Sequence, residues 1–287
     1  MKSSTGMAEP GSVAANTATF ESWFQLHTLD KALATAANPL IPFKECLKHG
    51  REVLEKEFRN GTGAPVLIRG RSWQIDQLLK RAWSRFTGQT AAQLALVAVG
   101  GYGRSELMPG SDIDLLILLP EDENSQYDRK ITALLTFLWD IGLEVGHSVR
   151  TIRDCVEQSL ADATVVTNLM EARLLAGSGD LFRRMQQRTA PAEIWNSQDF
   201  FEVKSKEQSS RYRKFHDTAY NLEPNIKEGP GGLRDIQMIA WVANRHFGTA
   251  SLEQLVNRDF LTREEYETLI AGRDLLWNIR FALHTLT

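Results

Sequence analysis

The stretch from Leu94 to Leu119, LALVAVGGYGRSELMPGSDIDLLILL, constrains the fold of this chain more than any other. Leu94 to Val99 is an unbroken run of Leu, Ala and Val ended by glycine, and Asp112 to Leu119 is a second short apolar run closed by Pro120. Short apolar runs bounded by Gly and Pro favour buried strands over helices, so two strands are expected, joined by a glycine-rich turn. Alternate side chains of an extended chain share a face, which puts Asp112 and Asp114 side by side with Cα atoms about 6.5 Å apart. Two carboxylates in a partly enclosed cleft repel each other and favour a cation between them; Mg²⁺ takes carboxylate and phosphate oxygens together. Gly100, Gly101 and Gly103 let the backbone bend close to a triphosphate and offer it N–H groups, and Arg104 adds a positive charge. Singly, a D-x-D or a Gly-Gly says no more than strand edge or turn. Together they point to a nucleotide handled with metal help.

Composition narrows the class. A chain of 287 residues, 43% hydrophobic and 24% charged, describes a soluble globular protein of one or two domains. Its net charge of -3 argues against a nonspecific nucleic-acid binder. Two cysteines, Cys46 and Cys155, make neither a disulfide framework nor a CxxC metal site, and a reducing cytoplasm fits them. No apolar run approaches membrane-spanning length and no signal pattern opens the chain, so neither membrane span nor export is expected.

Along the chain, Met1 to Thr19 reads as a disordered tail. Phe43 to Phe58 and Ser72 to Phe86 carry helical periodicity around the turn Asn60-Gly61-Thr62-Gly63. The basic cluster Arg69, Arg71, Lys80, Arg81 and Arg85 fits either phosphates or an acidic partner, or simply a solvated helix face. After the acidic loop Glu121 to Asp128 comes an amphipathic helix with Ile131, Leu134, Leu135, Leu138 and Trp139 on one face. Leu143 to Arg150 alternates as a third strand, placing His147 on its apolar side as a core histidine. From Thr151 onward strands are expected to stop. Asp154–Leu160, Thr164–Ala176, Asp180–Gln187 and Asp199–Tyr220 read as helices, the last carrying Lys204, Lys206, Arg211, Arg213 and Lys214 as cleft lining or surface. The last helix, from Arg263 to about His284, opens with a Thr262-x-x-Glu265 capping box, and its apolar positions, among them Leu275, Ile279 and Leu283, favour packing over chemistry.

One loop in this helical region stands apart: Asn221 to Asp235, with three glycines and two prolines, leads into a helix at Ile236–Phe247. Lys227 and Arg234 there suit phosphate, and the helix start suits an anion; Asp235 reads equally well as an N-cap without chemistry.

Two motifs carry a resemblance. Gly100-Gly101, ten residues and then Asp112-Ile113-Asp114 resembles the signature of the DNA polymerase β-like nucleotidyltransferases. This implies an α/β (α+β) fold with a small mixed sheet followed by a helical domain, and paired aspartates that hold divalent metal. In that superfamily a third carboxylate lies on a neighbouring strand, and Glu144 is the nearest candidate. GGYGRSELMPGSDIDLLIL together with YNLEPNIKEGPGGLRDIQMIAWVANRHFG resembles the bifunctional uridylyltransferase/uridylyl-removing enzymes of the PII nitrogen-signalling protein, from about Phe20 to the end. That resemblance implies transfer of UMP from UTP to a tyrosine of PII with Mg²⁺ or Mn²⁺. Asp112 and Asp114 would be metal ligands, Gly100, Gly101 and Ser111 would hold the triphosphate, and Lys227, Arg234 and Asp235 would lie near the nucleotide.

The expected layout is a nucleotidyltransferase domain over 20–150 and a helical domain over 151–287. The family's HD hydrolase and ACT domains do not fit, so a truncated piece without hydrolysis or glutamine control is expected. Adenylylation of glutamine synthetase and a non-catalytic nucleotide-binding module are the alternatives.

Overall fold

In the computed structural model, which describes residues 10–121, 125–191, 193–215, 225–249 and 251–286, the two apolar runs form neighbouring strands. β1 (Ala95–Ala98) and β2 (Ile113–Leu119) pair antiparallel, with Ala98 opposite Leu115. β3 (Val145–Thr151) lies parallel to β2, and β4 (Arg173–Gly177) lies antiparallel to β1 on its other edge, giving the order β3-β2-β1-β4.

The apolar runs are continuous because both faces of the central strands are covered. Leu96, Ala98, Ile113, Leu115 and Ile117 face a core shared with α3 (Leu40–Arg59), α4 (Ala64–Thr87) and α6 (Ser125–Asp140). Ala95, Val97, Leu116 and Leu118 face the opposite core, with Ile152 and Cys155 of α7 (Ile152–Ala161) and Leu181 and Met185 of α9 (Gly179–Arg188). A third cluster joins Val166 of α8 (Ala163–Met170), Phe200 of α10 (Ser197–Lys214) and Trp241 of α11 (Leu233–Phe247). Local chemistry sets the helix ends. Thr151 and Asp154 form a reciprocal capping box on α7, and Thr262 and Glu265 do the same for the last helix, α13 (Arg263–Leu286).

Several expectations are corrected. Strands do not stop at Thr151: β4 belongs to the same sheet, so the sheet crosses the boundary drawn at residue 150, and the helix read over 164–176 ends at Met170. The tail read to Thr19 is helical from Pro10, in a helix that runs to Phe24; residues 1–9 lie outside the described residues. β3 is an edge strand, so His147 is exposed rather than a core residue. It packs against Trp139, itself 48% exposed, at a ring distance of 5.7 Å. In α13 the buried apolar residues are Trp277 and Phe281, whereas Leu275, Ile279 and Leu283 are exposed. The helix read over 199–220 is described only to Lys214; residues 216–224 lie outside the described residues, including the start of the second glycine loop. Both cysteines are buried free thiols, and among the described residues no helix is long and apolar enough to cross a membrane.

Candidate active site

β1 ends at Ala98, and after Val99 the chain makes a single helical turn, Gly100–Gly103, before returning as β2. Gly100 has φ +57°, in the left-handed region that favours glycine, and a Cβ there would lie 3.2 Å from Asp114 Oδ2. The turn is anchored from below. Tyr102, fully buried, donates to Asp76 of α4 at 2.6 Å. Arg173 of β4 donates to both oxygens of Asp76, at 2.6 and 3.0 Å, and to the carbonyls of Tyr102 and Gly103. Burial and the Asp76 charge hold the Tyr102 phenol well above its ordinary pKa. Gly103 is there for packing: a Cβ would lie 2.2 Å from the Glu171 carbonyl oxygen.

Above this turn is a cleft of about 380 Å³. Gly100, Gly101, Ser111, Asp112 and Asp114 line it together with Lys204, Lys227, Arg234 and Arg280. Asp112 and Asp114 sit at alternate positions at the start of β2 and are open to the cleft. The cleft walls nevertheless desolvate Asp114, and this burial together with the charge of Asp112 raises its pKa, with Lys227 acting in the opposite direction. The cations face a comparable imbalance, since burial and the charges of Arg234 and Arg280 lower the Lys227 pKa. An acidic pair in one cleft with a cluster of cations matches a polyphosphate accompanied by a divalent ion.

Of the residues singled out from sequence, Gly100, Gly101, Arg104, Ser111, Asp112, Asp114, Lys227 and Arg234 line this cleft, and Gly103, Glu144 and Asp235 do not. Arg104 is already engaged, donating to Glu106 at 2.7 Å and to Glu171. Burial alone would lower its pKa, but these two carboxylates raise it overall. Asp235 is not the N-cap of α11. That position is Gly232, and Asp235 in the first turn accepts from Tyr212, Arg211, Gln208 and the Gly231 N–H. Glu144 lines a neighbouring cavity instead. The residue beside Asp114 on β3 is Gly146, where a Cβ would lie 2.9 Å from Asp114 Oδ1. Among the described residues no three His, Cys, Asp or Glu side chains gather as a metal-holding group. The donor set offered to a metal is therefore the two aspartates, which fits a hard ion that completes its shell with water and substrate oxygens.

Sequence reasoning missed Asn168, Glu171 and Arg280 as cleft residues. Glu171 accepts from both Arg104 and the Trp241 indole, so it ties α11 to the glycine turn. Lys204, only 2% exposed, pairs with Glu207 at 2.6 Å and lies over the Trp241 ring. Helical period placed Arg280 on a packing helix, and only the fold brings this part of α13 to the cleft.

Comparison with known proteins agrees with this geometry. Residues 75–173 match the family model of the nucleotidyltransferase domain, and residues 199–287 match that of the GlnD PII-uridylyltransferase. The chain is 49% identical to the bifunctional uridylyltransferase/uridylyl-removing enzyme of Ectopseudomonas mendocina (strain ymp), and 50% and 51% identical to those of Pseudomonas putida (strain W619) and Pseudomonas entomophila (strain L48). Each match covers 254 residues, 88% of this chain and 28% of the relative, so the chain spans little more than a quarter of the length of these curated relatives. The chain thus carries a nucleotidyltransferase domain, and its small mixed sheet in a largely helical body fits the polymerase β-like fold. The resemblance to the uridylyltransferase/uridylyl-removing enzymes extends over most of the chain.

Proposed function

We propose that this chain, as a relative of the uridylyltransferase/uridylyl-removing enzymes, moves UMP from UTP to a tyrosine hydroxyl of the PII signalling protein. The observation that carries the reading is that Asp112 and Asp114 line one cleft with Lys227, Arg234 and Arg280. Lys227 and Arg280 would bind the phosphates as point charge and fork, and Ser111 with the Gly100–Gly101 backbone would orient them. Arg234, held by Glu228 at 2.9 Å, keeps the charge of the second loop aimed into the cleft. The tyrosine oxygen attacks the α-phosphorus; the new P–O bond forms as the bond to the β-phosphate oxygen breaks, pyrophosphate leaves and the tyrosine proton is released. Asp112 and Asp114 would hold Mg²⁺ or Mn²⁺, which when bound neutralises charge on the phosphates. The remaining work of the chain is alignment and exclusion of alternatives, the main protein contribution in phosphoryl chemistry.

Mass spectrometry of PII after incubation with the chain, UTP and Mg²⁺ tests the reading. A gain of one UMP per modified subunit is expected, and Asp112→Asn with Asp114→Asn should lower the rate by about a hundredfold or more. Preferential AMP transfer to glutamine synthetase from ATP would sink it, and nucleotide binding with no transfer by either protein would favour a binding module.

A further inference from the structure

Beside the cleft lies a second cavity of about 520 Å³, walled in part by Leu54, Ile113, Leu143 and Phe281. The two share Gly110 and Ser111, so one turn of chain divides them. Arg71 of α4 lines this second cavity, and among the described residues its guanidinium forms no hydrogen bond or ion pair; its Nε is sealed from solvent. Burial and the neighbouring Arg51 push its pKa down to about 10. The residue as a whole is only partly buried, so its terminal nitrogens reach the cavity while the sealed Nε–H lacks an acceptor, and an anion entering there would be offered the guanidinium. The carboxylates on the same walls do not engage it: Glu55 pairs with Arg59 at 3.5 Å, and the exposed Glu144 forms no ion pair among the described residues. His284 of α13, which also lines the cavity, has its pKa lowered by burial and by Arg280 and Arg71.

The chemistry differs from that of the first cleft. A polyphosphate is matched there by several cations and the aspartate pair. Here the partly buried Arg71 and the exposed Arg51, set among Leu54, Ile113, Leu143 and Phe281, suit a lone carboxylate carried on a polypeptide. Alternate residues of an extended peptide project about 6.5–7 Å apart on one face, so a segment crossing the Gly110–Ser111 turn reaches both cavities. We propose that the second cavity is a docking subsite for the acceptor polypeptide, with Arg71 anchoring an acidic side chain close in sequence to the hydroxyl that receives the nucleotide. The assignment rests on transfer to a protein acceptor, as proposed above.

Titration of the full chain with tetraglutamate and with tetraglutamine separates this subsite from general stickiness. Tetraglutamate should bind and tetraglutamine should not; Arg71→Met should weaken tetraglutamate by about tenfold or more, with Arg71→Lys intermediate, while UTP affinity stays within about twofold. Arg71→Met should fold at least as stably as the parent, because it removes a sealed N–H that has no acceptor. In the transfer assay the same variant should raise KM for PII with kcat and the UTP KM unchanged. Tetraglutamate binding that survives Arg71→Met, or a parallel loss of UTP affinity, overturns the subsite. Binding of pyrophosphate rather than tetraglutamate through Arg71 also overturns it, in favour of a leaving-group exit. If the parent chain transfers nothing to PII, the acceptor reading fails, and the peptide titration still decides whether Arg71 receives carboxylates.

Discussion

Tyr102 donates its phenolic hydrogen to Asp76 at 2.6 Å, so the glycine turn beneath the cleft hangs from a carboxylate on α4. Arg173 reaches the same carboxylate from β4, and the three side chains link a helix, the turn and an edge strand. Asp76→Ala leaves the Tyr102 hydroxyl without its acceptor and Arg173 without its carboxylate, holding only the Tyr102 and Gly103 carbonyls. Breaking a buried pair costs about 3–5 kcal/mol, and the partial solvent access of Arg173 sets the loss near the lower end. Tyr102→Phe removes one hydrogen bond to a charged group and should cost about 1.5 kcal/mol or more. Urea denaturation at neutral pH measures both, and equal midpoints for parent and Asp76→Ala would show that the anchor carries no stability.

Two glycines near the aspartates are expected to fail differently when given a methyl group. At Gly103 the new Cβ meets backbone, the Glu171 carbonyl oxygen at 2.2 Å, and the turn must shift; overpacking of this kind costs about 1–3 kcal/mol. At Gly146 it meets only the end of a side chain, Asp114 Oδ1 at 2.9 Å. Gly146→Ala should therefore stay within about 1 kcal/mol of the parent in unfolding and lose transferase activity as Asp114 is displaced. Melting curves and initial rates on the pair distinguish the two effects; a Gly146→Ala protein with full activity would mean that the Asp114 position is not critical.

The cation wall gives a third test. Lys227→Met should raise the UTP KM by about tenfold to a hundredfold, the value of a charge-assisted bond to phosphate. Glu144→Gln should leave UTP kinetics within about twofold, because Glu144 lines the other cavity. Steady-state kinetics with varied UTP checks both, and a large loss at Glu144 would return it to the reacting centre.

The strands and the aspartate pair were legible because they are local: a run of Leu, Ala and Val ending in glycine carries its own strand signal, and i, i+2 spacing places two carboxylates on one face. β4 was not legible, since Arg173 to Gly177 follows α8 after a two-residue gap and reads as its continuation. His147 was misread because alternation identifies a strand but not whether it lies at the edge of the sheet. Arg280 and Glu171 lie far in sequence from the glycine turn, and only helix crossings bring them to it. Arg71 and Arg81 shared one basic cluster in sequence; the fold pairs Arg81 with Asp30 at 2.6 Å, whereas Arg71 lines a cavity with no ion-pair partner among the described residues.

Asp235 provides the last prediction, one with a definite sign in pH. It lies just outside the cleft, and its carboxylate joins α10 to α11, accepting from Tyr212 at 2.6 Å and from Arg211. Burial alone would raise its pKa, but the bonds from Tyr212, Arg211 and Gln208 and from the Gly231 N–H outweigh it and hold the carboxyl below the ordinary value. A depressed folded pKa contributes stability that is fully present above the unfolded pKa and is lost as pH falls through the folded one. Asp235→Asn should therefore be less stable than the parent at pH 7, by about 2–3 kcal/mol for a partly buried pair, and the difference should shrink below about pH 4 as the parent's own carboxylate takes up its proton. Arg234 neighbours Asp235 on α11, so the UTP KM should rise modestly while kcat is kept. Urea midpoints of parent and variant from neutral to acid pH decide the point: a gap that stays constant with pH would mean that the charge of Asp235 does not hold the two helices together.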